Sequence, residues 1–256
     1  MIKTAYTCDV NCVLGNWPFR KIRKNNLSDI QSMHQQFKIE TGYISSLNSI
    51  FYNDPFEGDE ELHELIKDTS YHHVLTINPK LPGFEKDIEK GLKSFQCKGV
   101  KVYPTYHKYN LADPDFQRLC NLLRDYDLPL FLPMRMEDAR LDYLVTPTTL
   151  SVQELMEFIN EHPKNNVILL TIYYRELITL RDTIIARKNI TFDTSGLKDG
   201  LFNIEKLLEL FPPSCLSYGS LYPLYSFTSS YFLIDKAQIS NEMKQKILQD
   251  KVVGLD

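Results

Sequence analysis

Short strand-like apolar runs alternate with longer helical patterns eight times along the chain. Strands that are each followed by a helix pair in parallel, because a parallel partner can be reached only through a crossover connection. The strand candidates are Thr4–Val10, Tyr43–Ser49, His73–Ile77, Gly99–Tyr103, Leu130–Met134, Val167–Tyr173, Ile190–Asp193 and Cys215–Tyr218. Between them the patterns Leu27–Glu40, Asp59–Asp68, Phe84–Phe95, Asp113–Tyr126, Ser151–Glu161, Arg175–Arg187 and Ile204–Leu210 read as helices, and Tyr231–Gln249 closes the set. Ser28 is the expected N-cap of the first helix, and Ser151 with Glu154 forms a capping box. Pro114 stands in a first turn, where its missing N–H matters least.

A (β/α)8 barrel needs about 250 residues, and this chain has 256. The expectation is one α/β domain over residues 1–256, a TIM-type barrel. A doubly wound open sheet would show the same alternation, but no glycine-rich phosphate loop follows any strand. In such barrels reactive groups sit at the C-terminal ends of the strands, so chemistry is sought there.

Net charge is −4, which argues against nucleic acid as the partner. No apolar run approaches the roughly 18 residues of a membrane span, and the first ten residues lack a secretory h-region. A cytoplasmic protein is expected, with a small-molecule ligand as partner and a homo-oligomer carried as an option. The five cysteines are widely spaced, with no C-x-x-C pair, which suits reduced, buried thiols.

The segment Cys8-Asp9-Val10-Asn11-Cys12-Val13-Leu14-Gly15-Asn16-Trp17-Pro18-Phe19-Arg20 resembles the first strand and loop of the amidohydrolase-related family, the decarboxylase and hydrolase branch of metal-dependent TIM barrels. That family carries Asp-x-His-x-His and a glycine, and one branch continues Trp-Pro-Phe-Arg. Residues 99–107, 133–140 and 218–223 resemble its fourth, fifth and eighth strand ends, in order. The resemblance implies a divalent metal held by two first-strand histidines, a fifth- and a sixth-strand histidine and an eighth-strand aspartate. Those positions are Asn11, Val13, Pro133, Thr171 and Leu221 here. An amide can offer one weak oxygen, while valine, proline and leucine offer no side-chain ligand. The expectation is therefore a degenerate metal site, with no metal and no cofactor at the ancestral position and hydrolase activity lost or weak.

Polar residues remain at the strand ends. Lys101, His107 and Asp138 are the catalytic candidates: an inward lysine or a histidine near neutral pH can move a proton. Asn11, Arg20, Tyr103, Arg135, Glu137, Arg140, Asp193 and Ser220 are the candidates for lining a pocket, with arginine suited to a carboxylate. Each has a plainer alternative in which the charges pair with one another. Three functions follow: a binder of a small anionic ligand; a metal-independent hydrolase, lactonase or decarboxylase using Lys101, His107, Glu137 or Asp138; or a non-catalytic scaffold subunit.

Overall fold

The computed structural model describes residues 6–138, 140, 141, 147, 149–249 and 252–255. Among them the strands are β1 (Cys8–Leu14), β2 (Thr41–Ser46), β3 (His72–His73), β4 (Leu75–Thr76), β5 (Val100–Lys101), β6 (Leu130–Pro133), β7 (Val167–Leu170), β8 (Ile190–Asp193) and β9 (Leu216–Ser217). The helices are α1 (Leu27–Phe37), α2 (Asn48–Phe51), α3 (Pro55–Ile66), α4 (Phe84–Lys90), α5 (Pro104–His107), α6 (Pro114–Asp125), α7 (Val152–Glu161), α8 (Tyr174–Ile185), α9 (Asn203–Leu210), α10 (Phe227–Asp235) and α11 (Asn241–Leu248). None is long and apolar enough to cross a membrane.

All neighbouring strands pair in parallel, in the orders β1-β2-β3 and β4-β5-β6-β7-β8-β9. Backbone hydrogen bonds bridge both seams between these runs. Val74 N donates to Ile44 O while Leu75 N donates to Gly99 O, so β3 and β4 are two halves of one strand. At the other seam Val10 N donates to Tyr218 O and Val13 N to Tyr222 O, and Cys12 bridges Tyr222 in parallel. The α/β alternation expected from sequence is present, and the last strand lies beside the first.

The interior is layered. At the bottom Val10, Tyr43, Val74, Phe131, Ile168 and Leu170 pack together, with Val252. At the mouth Val13, Trp17, Leu47, Ile50, Tyr103, Met136, Leu221 and Leu224 form a second apolar cluster. Leu130, Leu132, Val167 and Leu169 alternate out of the barrel into a larger core beneath the helices, following the period-two alternation of side chains along a strand.

Local chemistry moved several boundaries from their sequence positions. The first strand is Cys8–Leu14, later than Thr4–Val10, because it ends only where Gly15 takes φ 123°. Residues 4 and 5 lie outside the described set. Asn26, not Ser28, caps α1: its Oδ1 accepts from Asp29 N at 2.9 Å, while Ser28 donates to that same oxygen. Helix α3 begins four residues before Asp59, at Pro55, behind an Asp54 cap. That leaves Asp59 buried, accepting from Ser49 and paired with His73. Only half of the Ser151–Glu154 box forms, since Glu154 turns its carboxylate to Leu111 N. All five cysteines are buried and unbridged.

The turn after β8 is crowded. A Cβ on Gly196 would fall 2.2 Å from the backbone oxygen of Ile172, an atom that cannot rotate away. Gly196→Ala is expected to lower stability by about 3 kcal/mol, seen as a fall in the urea midpoint with an unchanged slope.

Candidate functional site

Between the two interior apolar layers lies a polar one. Lys101 ends β5 and is buried, and its Nζ donates to Asn11 Oδ1 at 2.9 Å. Asn11 Nδ2 donates in turn to Asp193 Oδ2 at 2.8 Å. Asp193 Oδ1 accepts from Thr171 N at 2.8 Å, and Ser195 Oγ donates to Thr171 Oγ1 at 3.2 Å. The Asn11 amide thus accepts from a cation and donates to an anion, which only this orientation allows. Burial pushes Lys101 down to about 8, against the pull of Asp193. Burial also raises Asp193, against its hydrogen bonds from Ser195, Asn11 and Thr171.

The mouth cluster covers this layer. Val13, Tyr103 and Leu221 are almost wholly buried, and the Tyr103 hydroxyl lies 3.4 Å from Ser45 Oγ. The Trp17–Arg20 loop folds over them. Trp17 Nε1 donates to Glu137 Oε1 at 2.5 Å, and Arg20 Nε donates to the same oxygen at 2.8 Å. Arg20 also donates to Leu224 O at 2.6 Å. Trp17, Phe19, Phe51 and Tyr106 pack above with centroids 5.2–6.1 Å apart, edge to face except for the tilted Trp17–Tyr106 pair; edge-to-face geometry suits the ring quadrupoles.

Open space lies to one side. A 670 Å³ cleft is lined by Arg20, Glu137, Asp138, Arg140, Lys198 and Tyr225, with Ser226 and Ser229 at the start of α10. A 250 Å³ extension shares Asp138, Arg140, Lys198 and Tyr225 and reaches Tyr173 and Ser195. Lys198 Nζ sits 4.2 Å from the Tyr225 ring centroid and makes no ion pair among the described residues. Burial holds it down to about 8. The Tyr225 hydroxyl is buried without a hydrogen-bond partner among the described residues, and burial raises its pKa.

The candidate residues therefore divide into groups. Lys101, Asn11 and Asp193 form one buried network, with Tyr103 packed above Lys101 at 5.8 Å from its Nζ. Arg20, Glu137, Asp138 and Arg140 line the cleft, and Asp138 with Arg140 forms an ion pair. Arg135 turns away: it binds Glu176 and Thr171 O and stacks on Tyr173 at 3.7 Å. His107 faces Ile50 O at 3.0 Å and lines neither cleft. Ser220 Oγ accepts from Tyr222 N, and Ser220 N donates to Asp9. Sequence reasoning missed Lys198, and it singled out Tyr225 only as aromatic surface for a scaffold subunit, not as a cleft residue. The available signal was a lysine three residues beyond Ser195, in the loop after the seventh strand.

No known family's sequence profile matches the chain, and no curated protein does either. Solved structures do. A 5-carboxyvanillate decarboxylase, LigW, from Sphingomonas paucimobilis superposes with a TM-score of 0.73 at 11% identity, covering 96% of this chain and 97% of that one. A 2,6-dihydroxybenzoate decarboxylase from Rhizobium gives 0.69 at 13% identity, covering 96% of each chain. A putative amidohydrolase from Staphylococcus aureus gives 0.69 at 12%, covering 95% and 96%. The chain has the TIM-barrel fold of amidohydrolase-family proteins.

The buried network yields a stability prediction. Lys101→Met strands Asp193 beside an asparagine and should cost about 3–5 kcal/mol. The Lys101→Met/Asp193→Asn double variant should cost less than the sum of the singles. Between pH 8 and 10.5 the unfolded chain holds the lysine proton that the folded chain has released. Stability from Lys101 should therefore rise with pH across that window, a rise absent from Lys101→Met in urea titrations.

Proposed function

We propose that this protein is an amidohydrolase-fold barrel that has given up the ancestral divalent-metal centre and binds a small anionic ligand in the off-axis cleft beside the mouth. The donor set carries the first half. Of the positions where the resemblance places ligands, Val13 and Leu221 belong to the apolar mouth cluster and Pro133 has no donor atom. The Asn11 amide is committed on both sides, to Lys101 and Asp193, and Thr171 Oγ1 accepts from Ser195. These residues do not fit a zinc or manganese ion, which takes histidine and carboxylate donors.

The single observation supporting the second half is Lys198, a half-buried ammonium in a 670 Å³ cleft without an ion-pair partner among the described residues. The unpartnered Tyr225 hydroxyl adds a hydrogen-bond donor to the same wall. Arg140 pairs with Asp138 through Nε and Nη2 but keeps its side chain 80% exposed, and its free Nη1 edge can turn to a carboxylate. An arylcarboxylate would use all three. The filled mouth also favours a second reading, a scaffold subunit without a ligand.

A thermal-shift panel of aromatic carboxylates and phosphate esters separates the two. A bound ligand at one hundred times its Kd adds about 2.7 kcal/mol, or a Tm rise of about 5–10 °C for a chain of this size. The rise should vanish in Lys198→Ala and Arg140→Ala. A panel without effect, or a rise that survives Lys198→Ala, leaves the scaffold reading. Decarboxylation or hydrolysis that depends on added Mn2+ or Zn2+ would overturn the loss of the metal centre.

A further inference from the structure

A second cluster of donor atoms lies outside the mouth, in the layer between β1 and α1. It depends on a β-bulge. Asp9 pairs with Gly42 and Cys12 with Ile44, so β1 spends three residues where β2 spends two. An unbroken strand would point residues three apart to opposite faces; the extra residue returns them to one face. Val10 and Asn11 both turn into the barrel, toward Phe131 and Ile168 and toward Lys101. Asp9 and Cys12 both turn out, toward His34 of α1.

We propose that Asp9 Oδ2, Cys12 Sγ and His34 Nε2 bind one Zn2+ ion that ties the first strand to the first helix. The three atoms lie within 4.8 Å of one another and all three residues are buried. His34 Nε2 stands 3.5 Å from Asp9 Oδ2 and 3.8 Å from Cys12 Sγ. A proton on that nitrogen would draw the carboxylate to about 2.9 Å. Tetrahedral zinc, with bonds of about 2.0 Å to nitrogen and oxygen and 2.3 Å to sulfur, sets those edges at about 3.3 and 3.5 Å.

A second observation points the same way. Asp9 Oδ2 is wholly buried and makes no hydrogen bond among the described residues, while Oδ1 is satisfied by the Asn11 and Ser220 N–H groups. The cluster therefore aims a carboxylate oxygen that lacks a hydrogen bond, with His34 Nε2 3.5 Å away, at the point the other two donors face. His34 is oriented from behind, its Nδ1 lying 3.1 Å from the Tyr71 hydroxyl, the kind of contact that fixes a metal-binding tautomer. Gly42 leaves the room: a Cβ there would fall 3.2 Å from Cys12 Sγ and 3.1 Å from His34 Cε1. A Cys-His-Asp nucleophile is the poorer account, because the thiol is enclosed and both acidic partners approach the same ring nitrogen. On binding, the Cys12 thiol gives its proton to solvent and its sulfur bonds the ion; three side chains leave the fourth position to a water.

The site is enclosed, so metal is loaded during refolding of the untagged full-length chain from urea with Co2+ or Zn2+. One Co2+ per chain is expected, with a thiolate-to-cobalt charge-transfer band in the near ultraviolet. Cys12→Ser and His34→Gln should abolish the band, and Cys215→Ser should keep it. For wild-type protein, zinc-edge X-ray absorption should find one sulfur at about 2.3 Å, which does not depend on any variant folding. A folded wild type that takes up no metal, a band that survives Cys12→Ser, or a zinc shell of nitrogen and oxygen alone would overturn the proposal. That last shell would instead mark a mouth metal, so failure here is distinct from failure of the functional reading.

Discussion

Lys101 can be buried in an apolar barrel only because Asn11 carries its charge to Asp193. An ammonium taken from water loses several kcal/mol of solvation unless an anion or a set of dipoles replaces it. Here the amide supplies a dipole in direct contact and the carboxylate a compensating charge one hydrogen bond further on. That layer ties β1, β5 and β8 together across the barrel axis, and the backbone of Thr171 after β7 is drawn into it. The apolar layers above and below pack against this network.

Covering that network with side chains moves the open space sideways. Val13, Tyr103 and Leu221 occupy the mouth, and the Trp17 loop is latched by one Glu137 oxygen that accepts from both Trp17 and Arg20. What is left is the cleft between the loops after β6 and β8 and the start of α10. Its charged groups come from those loops, where a barrel can vary residues without disturbing its strands.

Much of the fold was legible in sequence because it rests on local patterns. Most of the named helices begin at an N-cap, a proline or an acidic first turn visible in the chain, as at Asp113-Pro114 and Ser151. The site was legible in part. Lys101, Asn11 and Asp193 could each be placed at a strand end, but their contact spans 182 residues of sequence between Asn11 and Asp193. Arg135 and Glu137 read alike on the page, two charged residues after one strand. They part because Met136 turns into the mouth cluster between them, sending Arg135 to Glu176 and Glu137 to Trp17.

The sequence alone determined the α/β alternation, the parallel order and the residue types at the strand ends, since these follow from periodicity and from chemistry carried by single residues. Tertiary structure decided which of those residues meet. The β1 bulge is the clearest case: no residue between Asp9 and Cys12 announces it, yet it sets which side chains enter the barrel and which face α1. Its position is chosen by pairing with β2 and with Tyr218 and Tyr222 just after β9, and by packing on both faces, interactions between segments far apart in the chain.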